Sequence, residues 1–146
     1  MLYELVHKAA TYGKSLSLAG NNIVSDFTES DLMKTRQEVI DYCLSLEFTF
    51  EDYPFSDHNW TIMRHKDNKK MFAAVYERFG IIWINVKCNP QLALDLRDIY
   101  EAVVPAYHMN KYHWNSIILN GTILDDEIKD MINHSYNLTK QKRKVQ

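Results

Sequence analysis

A chain of 146 residues can hold one domain with a substantial core, and 46% hydrophobic and 25% charged residues with 4 Gly and 3 Pro exclude a disordered or fibrous polymer. Lys and Arg number 17 against 19 Asp and Glu, a formal net charge of −2, which is the wrong overall sign for a protein dominated by phosphate neutralisation. The two cysteines, Cys43 and Cys88, have no Cys-x-x-Cys partner, so buried thiols in a reducing compartment are expected rather than a disulfide framework or a thiolate zinc site.

Residues 1–27 read as an N-terminal extension of open role, because Gly13-Lys14-Ser15 and Gly20-Asn21-Asn22 break any helix begun at Leu2, Leu5, Val6 and Ala9. Glu4, His7 and Lys8 fall where a signal peptide needs an apolar core, and no window approaches 18 apolar residues. A cytoplasmic protein that does not enter the membrane is expected. Leu32, Arg36, Val39, Ile40, Cys43 and Leu44 then recur at helical spacing, with Asp31 suited to the first turn, and predict a helix over about 30–46.

Alternation begins at Trp60-Thr61-Ile62-Met63-Arg64 and resumes at Met71 to Tyr76, with turn chemistry between them at residues 66–70. A break at Arg78-Phe79-Gly80 leads into the β-rich run Ile81 to Lys87, so three strands are expected in an antiparallel meander. Asn89-Pro90 opens a helix as a capping Asn followed by Pro at the first helical position, with Leu92, Leu96, Ile99 and Tyr100 on one face. A strand at residues 113–119, stopped by Asn120-Gly121, and a helix over about 125–136 complete the order α-β-β-β-α-β-α. Helices packed on one face of an antiparallel sheet bury these faces, which gives a two-layer α+β domain over residues 28–140 followed by a basic tail, residues 141–146.

Charge is segregated along the chain. From Asp26 to Trp60 the acidic residues dominate, whereas from Thr61 to Pro90 Arg64, Lys66, Lys69, Lys70, Arg78 and Lys87 face Asp67 and Glu77. The expected hairpin therefore carries a basic tip. With Lys87, Asn110, Lys111 and Tyr112 it supplies candidates for phosphate and base contacts. His108 and His113 lie five residues apart and no third ligand is spaced to join them, so no metal is expected. No Gly-x-Ser-x-Gly element, Gly-rich phosphate loop or dinucleotide fingerprint occurs, which argues against an enzyme and against a bound cofactor.

The segment Pro105-Ala106-Tyr107-His108-Met109-Asn110-Lys111-Tyr112-His113-Trp114-Asn115 resembles the signature of the MmcQ/YjbR family. Glu51 to Phe55, Arg64 to Ala73, Val86 to Pro90, Leu96 to Tyr100 and His134 to Leu138 add ordered matches, and the resemblance spans about residues 33–141. Where the family has Pro before the last helix this chain has Leu124. The resemblance implies small bacterial proteins with a CyaY-like (frataxin-like) fold, described as DNA-binding through a double wing. Iron does not follow from it, since Glu29, Asp31, Glu38 and Asp41 do not form the dense acidic ridge of frataxins. The combined expectation is a monomeric, non-enzymatic DNA-binding protein. The alternative is an adaptor for another protein or a small ligand, with a pocket around His108, Lys111 and Trp114.

Overall fold

The computed structural model describes residues 16–19, 22–25 and 32–142. The breaks expected at residues 13–15 and 20–21, Asp31 as a first-turn residue and the end of the basic tail from Arg143 lie outside the described residues. Strands β1 (Leu16–Ala19) and β2 (Asn22–Ser25) pair antiparallel as a separate two-stranded ribbon within the segment read as an extension.

Helix α1 (Arg36–Leu44) starts later than the apolar spacing suggested. Thr35 caps it, accepting from the Glu38 N–H at 3.1 Å while the Glu38 side chain accepts from the Thr35 N–H at 3.2 Å. This reciprocal pair satisfies donors that the first helical turn leaves open, so it fixes the start. Strand β3 (Thr49–Asp52) follows, then β4 (Thr61–His65), β5 (Met71–Arg78) and β6 (Ile81–Lys87). Helix α2 (Pro90–Ile99) is capped by Asn89, whose Oδ1 accepts from the Gln91 N–H at 3.0 Å. Strands β7 (Val103–Pro105) and β8 (Trp114–Ile118) precede helix α3 (Asp125–Thr139). Leu124 offers no side-chain cap to α3. Asp125, Asp126 and Glu127 in its first turn compensate by facing the positive end of the helix dipole.

The six strands β3 to β8 form one antiparallel sheet in the order β3-β4-β5-β6-β8-β7. The expected meander is present, and the sheet gains two edge strands, β3 and β7, that the alternation pattern did not reveal. A register shift between Met63 and Arg64 marks a bulge, so Met63 pairs with Ala73 and Arg64 with Met71. The extra residue, Phe72, is fully buried and lies against His65 and Tyr136 of α3, with ring centroids 5.2 and 5.4 Å away.

Val75, Ile84, Ile117 and Val103 lie opposite one another in register and face the helices. Val39, Ile40 and Cys43 of α1 and Ile128, Met131 and Ile132 of α3 close on this row. Each fully buried side chain of this size contributes about 1.5–3 kcal/mol relative to exposure. Tyr42 Oη of α1 donates to Asn133 Oδ1 of α3 at 2.6 Å, and Asn115 Nδ2 donates to the Ala93 carbonyl of α2 at 3.3 Å. The helices thus share one face in a two-layer α+β domain. Among the described residues no helix is long and apolar enough to cross a membrane.

Candidate functional site

The sheet register gathers the lysines between Thr61 and Pro90 at one end, while Arg78 closes the far end of β5. The β4–β5 turn carries Lys66, Lys69 and Lys70, Val86 pairs with Ala73 so that Lys87 ends at the same level, and Lys87 pairs with Trp114 next to Lys111. Helix α3 finishes there as well. His65 Nε2 is 2.8 Å from Thr139 Oγ1 and Asn68 Nδ2 donates to the Thr139 carbonyl at 2.8 Å, which brings Lys140 and Lys142 alongside. Glu47 and Asp67 line the same end with them. The acidic start of α3 lies a full helix length away, so α3 spans from an acidic pole to a basic one.

The basic side chains differ in how free they are. Arg64 Nε is 2.8 Å from Asp52 Oδ2, a pairing created by strand β3, and its Nη1 donates to the Lys69 carbonyl at 3.1 Å. Lys69, at φ 63, donates to the Lys66 carbonyl at 2.6 Å and lies over the Phe50 ring at 5.2 Å. Lys111 donates to the Ala106 carbonyl at 2.9 Å. Lys66 and Lys70 are exposed, and among the described residues neither side chain makes a hydrogen bond or ion pair.

The signature segment is mostly a scaffold for itself. Asn110 Oδ1 accepts from the Tyr112 and His113 N–H groups at 2.9 and 3.1 Å, which closes the loop. Arg97 of α2 donates to Asn115 Oδ1 at 2.7 Å and also to the Lys111 carbonyl. Tyr112 and His113 are exposed, and their rings meet edge to face at 4.9 Å. Trp114 is only half-buried, so it is not the core anchor its size invites. Asn110 and Lys111 are therefore brought to the basic end while most of their polar atoms hold the loop.

On the sheet face opposite the helices, Asn85, Ser116 and Tyr76 form a buried polar cluster that sequence patterning did not single out. Tyr76 Oη donates to Asn85 Oδ1 at 2.8 Å, and Ser116 Oγ donates to the same oxygen. Asn85 Nδ2 donates to the Tyr107 carbonyl at 2.8 Å while the Tyr107 N–H donates to Ser116 Oγ at 2.9 Å. Burial raises the Tyr76 hydroxyl above its ordinary range, opposed by its bonds to Ser116 and Asn85 and by Arg78, so it stays protonated and donates. With both backbone groups of Tyr107 held, the chain turns through His108 at φ 62, an uncommon conformation for a residue with a Cβ.

Above this cluster the aromatic rings stack. Trp60 lies 4.0 Å from Tyr76 at an interplanar angle of 19°, His108 lies 3.9 Å from Tyr107, and the Arg78 guanidinium lies 3.8 Å over the other ring system, that of Tyr107. Beside the stack a cleft of about 780 Å³ opens between Trp60, Phe55, Asp57, Met71, His108 and Met109, with Ile62 and Ala74 as its floor. Lys111 and Trp114, expected around a pocket with His108, do not line it. Among the described residues no group of three or more His, Cys, Asp or Glu converges as a metal site.

Comparison with known proteins agrees with this architecture. The profile of the YjbR family matches residues 44–138. YyaQ, an uncharacterized protein of Bacillus subtilis, is 34% identical over 119 residues, 74% of this chain and 100% of YyaQ. YjbR, an uncharacterized protein of Escherichia coli strain K12, is 31% identical over 117 residues, 76% of this chain and 96% of that protein. A crystal structure from Pseudomonas syringae superposes with a TM-score of 0.66 at 35% identity, covering 73% of this chain and 99% of that one. The Deinococcus radiodurans protein DR2400, with domain DUF419, gives a TM-score of 0.68 at 25% identity over 75% of this chain and 81% of that one. On the profile match, these identities and the shared antiparallel sheet, the chain belongs to the YjbR family.

Proposed function

We propose that this protein binds DNA and carries out no chemistry on it, contacting phosphates through the basic end of its sheet. The observation that supports the reading is the convergence of Lys66, Lys69, Lys70, Lys87 and Lys111 with Lys140 and Lys142 at one end, which sequence distance alone does not bring about. A local concentration of cations attracts a polyanion even when the net charge is −2. The β4–β5 hairpin serves as a wing along the duplex backbone, and Asn110 and Tyr112 stand beside it for closer contacts.

Lys66 and Lys70 are the informative positions, because Lys69 and Lys111 also hold backbone carbonyls. Lys66→Glu with Lys70→Glu removes two cations and adds two carboxylates without touching the core. Mixed-sequence duplex binding, measured by fluorescence anisotropy at several salt concentrations, should fall by at least tenfold at low salt, and the slope of log K against log salt should lose about two. Unchanged binding with unchanged thermal stability would remove the hairpin from the interface.

A further inference from the structure

We infer that the cleft beside Trp60 and His108 receives an unstacked nucleobase bearing an exocyclic amine, supplied by the nucleic acid whose phosphates lie at the basic end. The inference rests on the DNA-binding reading and names what that reading leaves open, the part of the nucleic acid that is read closely.

Position is the first argument. Met71 lines the cleft and directly follows Lys70, and Met109 lines it two residues before Lys111. The basic end therefore adjoins the Met71 and Met109 side of the cleft, while Phe55, Asp57 and Trp60 stand at the far end of β4, so that a strand anchored by phosphates at the lysines can lay a base inward past the two methionines. Walls are the second argument. Trp60, Phe55 and His108 present ring surfaces and Met71 and Met109 present polarisable sulfur, while the small side chain of Ala74 leaves the floor open. A volume of about 780 Å³ lies within the range of small-ligand clefts, roughly 300–1,000 Å³.

Polarity supplies the third argument. Asp57 is the carboxylate in the lining; its Oδ1 accepts from the Asn59 N–H at 3.2 Å, and its other oxygen can accept from an amine. A carboxylate beside apolar rings repels a phosphate and suits the amine edge of adenine, cytosine or guanine. His108 adds a fourth, since it is held at φ 62 by the buried bonds to Tyr107, and a strained wall residue kept in place by a polar cluster marks a preorganised surface. Taking a base from an intact stack costs free energy, so unpaired bases are the preferred occupants.

The test uses the full chain and three short duplexes of identical flanks, one fully paired, one with a bulged fluorescent adenine analogue and one with a bulged thymine. The adenine bulge should bind about tenfold more tightly than the paired duplex, with a changed emission as the analogue stacks, and the thymine bulge should bind more weakly than the adenine bulge. Phe55→Ala, at a half-exposed ring, and His108→Gly, which suits a positive φ, should abolish the adenine preference and leave paired-duplex binding unchanged. Equal binding of all three duplexes with unaltered emission would overturn the cleft assignment while leaving DNA binding standing. Equal binding of the two bulges would overturn the amine selection by Asp57, and no binding of any duplex would overturn both the cleft and the DNA reading.

Discussion

Replacing Asn85 by Ala tests whether the buried polar cluster holds the signature loop. Asn85 is fully buried, and its removal leaves the Tyr107 carbonyl without its donor and the Tyr76 hydroxyl with only a long contact to Ser116 Oγ at 3.3 Å. Each buried polar group deprived of its partner costs about 1–3 kcal/mol, so the variant should lose about 2–5 kcal/mol. That is a large share of the roughly 5–15 kcal/mol that holds an ordinary domain together. Tyr76→Phe alone should cost about 1 kcal/mol, because Ser116 still donates to Asn85 Oδ1. In the Asn85→Ala background the same change should cost nothing or restore stability, since it removes an orphaned hydroxyl. Urea unfolding of the four proteins, with a common m-value, reads the coupling from the midpoints. Additive losses, or an Asn85→Ala loss below about 1 kcal/mol, would refute the cluster's role.

The remaining predictions concern titration, reactivity and turn strain. His65 is buried between Phe72 and Tyr136, and burial first of all lowers its pKa, with Lys140 and Lys70 acting the same way and Asp67 opposing. A base whose folded value is depressed contributes stability above its ordinary value of 6.5 and loses it as pH falls toward the folded value. Thermal stability should therefore decline below about pH 6.5, less steeply in His65→Phe, and His134, also lowered by burial, should account for part of the remainder. Burial pushes the thiols of Cys43 and Cys88 up to about 12 and about 11, so alkylation at pH 8 should stay slow until denaturant is added. Phe79 and Gly80 form the β5–β6 turn with φ 55 and 75, and Phe79 is 81% exposed. Phe79→Asn should raise stability by about 0.5 kcal/mol in thermal unfolding, because Asn tolerates the left-handed region better.

Much of this architecture is legible in the residues. Alternation over Trp60 to Lys87 declares the meander, and Asn89-Pro90 declares the start of α2, because both signals are local. Thr35-Arg36-Gln37-Glu38 also carries a capping box, the signal that places the α1 start more closely than apolar spacing does. Strands β3 and β7 have only 4 and 3 residues, too few for a period to emerge, and Pro105 argues against a strand. The basic hairpin is legible as charge, but the engagement of Arg64 with Asp52 depends on a strand pairing that the pattern conceals. Asn85 and Ser116 look like isolated polar residues in apolar runs. Their opposition across β6 and β8, and the cleft between Phe55, Trp60 and His108, arise only when distant segments meet.

The brevity of the two outer strands also bears on how the molecule behaves in a crowded solution. The exposed ladder of an edge strand is a template for another chain's backbone, the usual origin of sheet-to-sheet aggregation. At one border that ladder stops at Pro105, whose nitrogen has no proton to offer, and at the other it ends with the exposed Glu51, whose charge opposes a second copy, beside Asp52 held by Arg64. Neither border of the six-stranded sheet thus offers a long, unmarked ladder, and the edges are blunted without the sheet being rolled into a barrel.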